Sequence, residues 1–227
     1  MVKFKTVGVK CVADLLGEVM RASSIDLSLP VEEQMRNTGG WRYEGFSGKE
    51  VVTLMKTGSF SGMKTISYLS KGVIPASTEK VWKAVQNPLT RFTYDETVKK
   101  ILVLRKLDHG QKLLHMYHES SSLLKKESQD FCILQTERIE GNKMVIALQS
   151  VEYENCPLMH GVLRGMVLPS GWIVETLPQD NTGVSCSITY VVQMIVNPSD
   201  SQLLNEVISM QSQCIGNLRT YLCPDLR

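Results

Sequence analysis

The stretch VSCSITYVVQMIV at residues 184–196 determines the fold class of this chain. Its side chains alternate in character, as in a β-strand whose two faces meet different surroundings. One face carries larger and mostly apolar residues, namely Cys186, Ile188, Tyr190, Val192 and Met194. The other face carries polar residues, namely Ser185, Ser187, Thr189 and Gln193. This pattern predicts a strand that packs its apolar face on another element, and Asn197-Pro198 ends it.

A long amphipathic helix is predicted directly after this strand, over 200–222. Ser199 or Asp200 is a suitable N-cap, and Pro224 follows the end of the helix. One face of the helix is apolar except for a single glutamine, and its members are Leu204, Val207, Ile208, Gln211, Ile215, Leu218 and Leu222. Such a helix buries its apolar stripe against a sheet.

Upstream, the periodicity predicts one helix and then mainly strands. Apolar residues at helical spacing predict a helix over 11–22, and Ser77 caps a second helix that Pro88 ends. Strands are predicted at 41–56 (two strands joined at Ser47-Gly48), 64–76, 98–107, 111–120, 130–139, 143–153, 161–169, 171–177 and 184–196. Short connections between sequential strands favour an antiparallel sheet. We therefore predict an α+β fold in one domain over 1–227, with a core at about 40–222 and an N-terminal helical segment over 1–39.

A short helix or turn is predicted at PLTRFTYDE, residues 88–96. It would bring Arg91, Tyr94 and Asp95 close together.

Composition excludes several classes of function. The net charge is +2 over 227 residues, with basic residues in scattered pairs, so nucleic-acid binding is not expected. The six cysteines show no C-x-x-C spacing, which favours buried free thiols in a reducing compartment. Lysines interrupt the N-terminal apolar residues, and no run of 18 apolar residues occurs, so neither a signal peptide nor a membrane span is expected. We therefore expect a cytoplasmic protein.

Catalytic and metal-binding patterns are also missing from the sequence. GSFSG at 58–62 has Phe60 where a nucleophile elbow has serine, and no glycine-rich phosphate loop occurs. His115 and His118 are three apart in a predicted strand, and His118 and Glu119 are adjacent, so neither pair shares a face. We expect no enzyme activity, no metal and no cofactor.

Several motifs in order over most of the chain resemble the START family of lipid-transfer domains. The stretch at 79–107 resembles the family's helix, Arg-x-x-Trp-Asp turn and next strand, with Tyr94 in place of tryptophan. HES at 118–120 resembles a strand that ends in His-Glu, and QDF at 129–131 resembles Arg-Asp-Phe with Gln129 in place of arginine. VLRG at 162–165, PSGWIV, TYVVQ and the last helix complete the pattern. Within the family, the sequence also resembles the START domain of a kinesin-like protein.

The resemblance implies a helix-grip fold, in which a curved antiparallel sheet wraps the C-terminal helix around an internal lipid tunnel. It implies a non-enzymatic, monomeric domain that binds one sterol, phospholipid or sphingolipid and transfers it between membranes, which it contacts transiently at their surface. The alternative is a lipid-sensing or membrane-targeting module of a larger protein, without transfer activity. The domain would be cytoskeleton-associated if it belongs to a motor protein.

The resemblance also implies that Glu119 lies in the tunnel, where relatives pair the equivalent glutamate with an arginine at the position of Gln135. Without that cation, Glu119 is protonated, accepts hydrogen bonds from Gln135 and water, or faces solvent. Our hypothesis is that Glu119 and Gln135 orient the polar end of the lipid. The predicted lipid-binding residues are Glu119, Gln135, Tyr117, Ile133, Val167, Tyr190, Met194, Val207, Ile208 and Gln211.

The loop SSSLLKKES at 120–128 is a candidate membrane contact. Leu123 and Leu124 can insert shallowly while Lys125 and Lys126 meet anionic head groups. The alternative is a loop whose leucines fold back on the protein. The loop at 157–161 and the last helix are candidate gates.

Overall fold

The computed structural model describes residues 2–23, 40–46, 51–119, 128–177, 184–195 and 202–226. Within these residues, ten strands form one sheet and three α-helices pack on it. The helices are α1 (Val2–Ala22), α2 (Thr78–Gln86) and α3 (Gln202–Leu222), and a short 3-10 helix spans Pro88–Thr93. The strands are β1 (Arg42–Phe46), β2 (Val52–Phe60), β3 (Met63–Ile74), β4 (Val98–Leu107), β5 (Gln111–Glu119), β6 (Ser128–Glu140), β7 (Lys143–Ser150), β8 (Leu163–Arg164), β9 (Ser170–Thr176) and β10 (Cys186–Ile195).

The sheet has the order β1-β2-β3-β10-β9-β7-β6-β5-β4, and every neighbour on this path is antiparallel. Strand β10 lies near its middle, where Tyr190 pairs with Ser70 on one side and Trp172 on the other. The predicted antiparallel sheet with a closing C-terminal helix is confirmed.

One face of the sheet, here called the inner face, packs against α2 and α3. The predicted apolar face of β10 is buried there with the last two turns of α3, whose buried residues are Cys214, Ile215, Leu218 and Leu222. Ser77 caps α2 as predicted, because its side chain accepts a hydrogen bond of 3.3 Å from the backbone N–H of Lys80. The inner face is therefore the side on which a ligand would meet the C-terminal helix.

The opposite, outer face packs against α1, which begins well before the predicted residue 11. Cys11, Val12 and Leu15 of α1 are buried with sheet residues such as Val145 and Ile173. The helix lies so near β5 and β6 that a Cβ on Gly8 would be 2.0 Å from Gln111 Nε2. Because α1 covers the outer face, the sheet can carry apolar residues on both of its faces near the centre.

The strand predicted at 161–169 is much shorter than expected. Only Leu163–Arg164 form β8, and they pair in parallel with β6. The physical reason is that the Arg164 side chain and the Gly165 N–H both bond Asp130 of β6, at 2.9 and 2.8 Å. These contacts hold the segment beside β6 instead of adding it to the sheet as a full strand.

Candidate functional site

An apolar cavity of about 40 Å³ lies on the inner face. Among the described residues, its apolar wall consists of Met116, Phe131, Ile133, Leu148, Val167, Val192 and Met194. Four predicted lipid-binding residues line it: Ile133, Val167, Tyr190 and Met194. The volume holds only a few water molecules, whereas pockets for small ligands usually measure roughly 300–1000 Å³. The cavity among the described residues is thus far smaller than the expected lipid tunnel.

One end of the cavity carries a buried ion pair. The 3-10 helix at Pro88–Thr93 holds Arg91 so that its Nε and Nη2 donate to Asp95 Oδ2 at 3.0 and 2.8 Å. Arg91 Nη2 also donates to the Tyr190 hydroxyl at 2.9 Å. Tyr190 stacks on Trp172 at 3.8 Å between ring centroids, and Tyr94 meets the same Trp172 edge-on. The predicted cluster of Arg91, Tyr94 and Asp95 is confirmed.

Asp95 also fixes the orientation of a histidine ring in the cavity wall. The carboxylate accepts a hydrogen bond of 2.6 Å from the Thr97 hydroxyl. The Thr97 hydroxyl has a single proton, which it donates in the hydrogen bond to Asp95. Its oxygen can therefore only accept in its contact with His118, and it accepts a hydrogen bond of 3.0 Å from Nδ1. Nδ1 therefore carries the imidazole proton. His118 Nε2, which has no protein partner among the described residues, is left as a hydrogen-bond acceptor in the cavity wall.

The charges at this end of the cavity balance. Burial by itself raises the pKa of Asp95, but Arg91, His118 and Thr97 together lower it below its ordinary value, so the carboxylate is ionised. Burial lowers the pKa of His118 to about 4, and Arg91 opposes its protonation further. Near neutral pH the site thus contains one compensated ion pair and one neutral imidazole.

The Ser170 hydroxyl also lines the cavity but is already occupied. It donates to Leu168 O at 2.7 Å and accepts from the backbone N–H of Gln193 at 2.8 Å. Among the described residues of the wall, three polar groups accordingly remain available to a ligand: His118 Nε2, the second terminal nitrogen of Arg91 (Nη1), and the hydroxyl proton of Tyr190, whose oxygen already accepts from Arg91. No hydrogen bond from Nη1 to another described residue is seen.

The START domain model matches residues 51–211. The chain belongs to the START domain family. This chain is 25% identical over 218 residues to human StAR-related lipid transfer protein 9. The aligned region covers 92% of this chain but only 4% of that relative. The chain is 24% identical over 157 residues to human StAR-related lipid transfer protein 6, covering 69% of this chain and 70% of that protein.

Solved structures show the same fold. The structure of human StAR-related lipid transfer protein 5 superposes with a TM-score of 0.69 at 20% identity, over 92% of this chain and all of that one (100%). The crystal structure of human STARD10 superposes with a TM-score of 0.63 at 16% identity, over 87% of this chain and 82% of that one. Among its described residues, the START domain has no helix that is long and apolar enough to cross a membrane.

The hypothesis that Glu119 and Gln135 together orient the polar end of a lipid requires the two side chains to lie close together, and the structure contradicts this. Glu119 lies opposite Ser128 in the β5–β6 ladder, and Gln135 lies opposite Lys112. Ser128 and Gln135 are seven positions apart on β6, which is roughly 24 Å along an extended strand. Gln135 Nε2 instead donates to Gln86 O of α2 at 3.1 Å. Gln135 is on the inner face of the sheet but does not line the cavity.

Strand alternation also removes Tyr117 and Glu119 from the cavity wall. Met116 and His118 of β5 face inward, so Tyr117 and Glu119 lie on the outer face. The Tyr117 hydroxyl donates to Ser128 Oγ at 2.7 Å, and Glu119 is half-buried at the end of the strand. The sequence interpretation missed His118, although the alternation that separates it from Glu119 was visible in the sequence.

The side chains of the remaining predicted site residues lie outside what the structure describes. Val207, Ile208 and Gln211 belong to α3, whose backbone is described, but nothing is described of their side chains. The membrane-contact candidates Leu123, Leu124, Lys125 and Lys126 fall between β5 and β6, outside the described residues.

The depressed pKa of His118 makes the stability of the START domain depend on pH. In the folded chain His118 titrates near pH 4 and in the unfolded chain near its ordinary 6.5, so between these values the unfolded chain binds more protons. Stability is therefore expected to rise with pH across this window, by roughly 3 kcal/mol in total from this group, of which about 2 kcal/mol falls between pH 5 and 7. Urea unfolding between pH 5 and 7 measures it, above the range in which Asp95 and Asp130 titrate.

His118→Asn is expected to flatten this pH slope, whereas His160→Asn, at an exposed histidine, should keep it. Equal slopes in the wild type and His118→Asn would show that His118 is not the group responsible.

Proposed function

We propose that this START domain binds one uncharged lipid with a hydroxyl or amide group, between the inner face and α3, and transfers it between membranes. The observation that carries the proposal is the free acceptor His118 Nε2 at the polar end of an apolar cavity. Membership of the START family and the names of the relatives, lipid transfer proteins, support it.

The electrostatics favour an uncharged head group. Asp95 already neutralises Arg91, and His118 is neutral, so an anionic head group would lose its hydration without gaining a free cation. A hydroxyl can donate to His118 Nε2 and accept from Arg91 Nη1. An amide offers the same two functions through its N–H and C=O. Sterols, ceramide-like sphingolipids and diacylglycerols meet this requirement, whereas lipids whose only polar group is a phosphate do not.

The apolar remainder of the lipid supplies the affinity. Each Å² of apolar surface removed from water contributes roughly 25 cal/mol. The described cavity is about 40 Å³, so it can bury the apolar surface of a lipid only after its walls move apart. The last turns of α3 are anchored in the core by Cys214, Ile215 and Leu218, so we expect the first half of the helix to move. Val207, Ile208 and Gln211 would then supply the helix side of the widened site.

The exchange cycle needs no chemical step. The domain docks on a membrane, α3 and the segment at 157–161 open, one lipid exchanges, and the walls close. We expect the lipid to leave unchanged and the domain to act as a monomer. Turnover of a lipid ester that is lost when His118 is replaced would favour an enzyme instead.

Replacing the acceptor is expected to change which lipids bind. With a fluorescent sterol or ceramide, His118→Leu should weaken binding about tenfold, because one hydrogen bond of roughly 1.4 kcal/mol is lost. His118→Gln, which restores a carbonyl acceptor, should recover part of the affinity. A matched lipid whose hydroxyl is methylated should bind the wild type and His118→Leu equally.

The control is Leu163→Ala, at an exposed residue outside the cavity, which should leave all affinities unchanged. Equal binding of the hydroxyl lipid to the wild type and His118→Leu would contradict the assigned role of His118.

The second candidate is a lipid-sensing or targeting module of a longer protein. It is favoured by the coverage of the first relatives, since the chain spans about 4% of human StAR-related lipid transfer protein 9 and 5% of its mouse counterpart. Transfer of fluorescent lipid between two vesicle populations separates the candidates. A sensing module binds lipid without accelerating transfer.

Membrane docking is proposed to use the loop between β5 and β6. Substituting Leu123→Ser together with Leu124→Ser should reduce binding to vesicles that contain anionic lipid, because both inserted side chains are lost. Lys125→Gln with Lys126→Gln should reduce it too, by roughly 1 kcal/mol per charge at low salt. Vesicle flotation measures both effects.

Lysines far from this loop provide the matched control. The pair Lys64→Gln and Lys71→Gln, on β3, removes the same charge and should have a smaller effect. If flotation is unaffected by the leucine substitutions, another surface docks.

A further inference from the structure

A second pocket lies on the outer face of the sheet, between the C-terminal end of α1 and strands β2, β3 and β10. Near Gly8 the helix packs tightly on the sheet, but at its other end it leaves a space of about 190 Å³, here called the outer pocket. None of the described residues that line the outer pocket also lines the cavity on the inner face. The apolar lining among the described residues consists of Val19, Ala22, Val52, Leu54 and Leu69.

The strand register places one polar row beside one apolar row on the floor of the outer pocket. Lys71 of β3 lies opposite Thr189 of β10 on one side and Val52 of β2 on the other. Two positions away on β3, Leu69 lies opposite Leu54 of β2. Residues two positions apart in a strand share a face, so both rows belong to the outer face. The outer pocket is therefore amphipathic.

The polar side chains of the outer pocket can donate hydrogen bonds to a ligand. Thr189 is only 1% exposed, and its hydroxyl makes no hydrogen bond with another described residue. A buried hydroxyl without a partner is uncommon in folded proteins and calls for an acceptor nearby. The Ser23 hydroxyl, in contrast, already donates to Val19 O at 2.8 Å. The donors that remain for a ligand are the Thr189 hydroxyl and the ammonium group of Lys71.

The charge of Lys71 is not balanced by a carboxylate among the described residues. On α1, Glu18 is paired with Lys56 of β2 at 3.2 Å. On β9, Glu175 is paired with Lys143 of β7 at 3.3 Å. Lys71 is exposed, so its ammonium group can meet an anion that enters from solvent. The outer pocket thus offers one positive charge and one buried hydroxyl beside an apolar floor.

We propose that the outer pocket binds an aliphatic carboxylate with a short chain. The carboxylate oxygens accept hydrogen bonds from Lys71 and Thr189, and the chain lies between Leu54 and Leu69 of the sheet and Val19 of α1. A carboxylate fits because it is only an acceptor and carries one negative charge against one ammonium group.

The volume of the outer pocket limits the length of the chain. An engineered apolar cavity of about 150 Å³ takes up benzene. The outer pocket, at about 190 Å³, therefore suits a short aliphatic chain and not the full acyl chain of a membrane lipid.

Methyl NMR of leucine- and valine-labelled protein, titrated with octanoate, tests the proposal. The methyl groups of Val19, Leu54 and Leu69 report on the outer pocket, whereas those of Leu148 and Val192 report on the cavity on the inner face. Octanoate is expected to shift the first set with the saturation curve of a single site. Octylamine has the same chain with the opposite charge and should bind there at least tenfold more weakly. The two sets of methyl groups also keep this test separate from the proposed lipid binding.

Replacing the two donors should weaken octanoate binding. Lys71→Glu turns an attraction into a repulsion at an exposed position, so we expect a loss of about tenfold. Thr189→Val keeps the shape of the side chain and removes the hydroxyl, so we expect a loss of about fivefold. Lys64→Glu is the matched control, because Lys64 is an exposed lysine of the same strand that does not line the outer pocket. If Thr189→Val does not fold, the comparison of Lys71→Glu with Lys64→Glu still decides.

Three results would overturn the proposal. The first is that octanoate leaves the methyl groups of Val19, Leu54 and Leu69 unshifted, even if it shifts those in the inner cavity. The second is that octylamine binds the outer pocket as tightly as octanoate. The third is that Lys71→Glu and Lys64→Glu bind octanoate equally well.

Discussion

A buried charge is stable only where its partner is buried with it, and the pairing of Arg91 with Asp95 meets this condition at the end of the cavity. This ion pair determines which of the surrounding polar atoms donate hydrogen bonds and which accept them. Asp95 accepts a hydrogen bond from the Thr97 hydroxyl, the Thr97 oxygen accepts one from His118 Nδ1–H, and Nε2 remains as an acceptor. Arg91 meanwhile holds the Tyr190 hydroxyl, so the stacked Tyr190 and Trp172 rings are fixed against β9 and β10. The hydrogen-bond character of the site thus follows from one ion pair.

The two faces of the sheet are packed differently. Tight packing by α1 buries the outer face, where even a methyl group at Gly8 would collide with Gln111 and Thr136. The inner face packs against elements that include the C-terminal half of α3 and contains the small cavity. A sheet held from the outside can keep its shape while a helix on the inside moves. The proposed lipid exchange relies on this difference, because the cavity of about 40 Å³ must widen before a lipid fits.

The sequence was sufficient for the fold because the alternation in β10 and the amphipathic last helix each require a partner surface. Alternation also placed Tyr190 and Met194 on one face of β10, and both line the cavity. It could have separated His118 from Tyr117 and Glu119, but motif resemblance favoured Glu119 instead. The failure at Gln135 has a different cause. Motif spacing fixes positions along each strand, whereas the register of β5 on β6 sets which residues face each other.

The central claim is that His118 Nε2 is an unprotonated acceptor that a bound lipid engages. Nitrogen-15 NMR of the imidazole rings tests it most directly, with the His118 signals assigned by comparison with His118→Asn. At neutral pH we expect a protonated Nδ1 and an unprotonated Nε2, whose resonance moves and saturates at one equivalent of a hydroxyl-bearing lipid. A protonated Nε2, or an Nε2 resonance that stays fixed while the lipid is bound, would contradict the account.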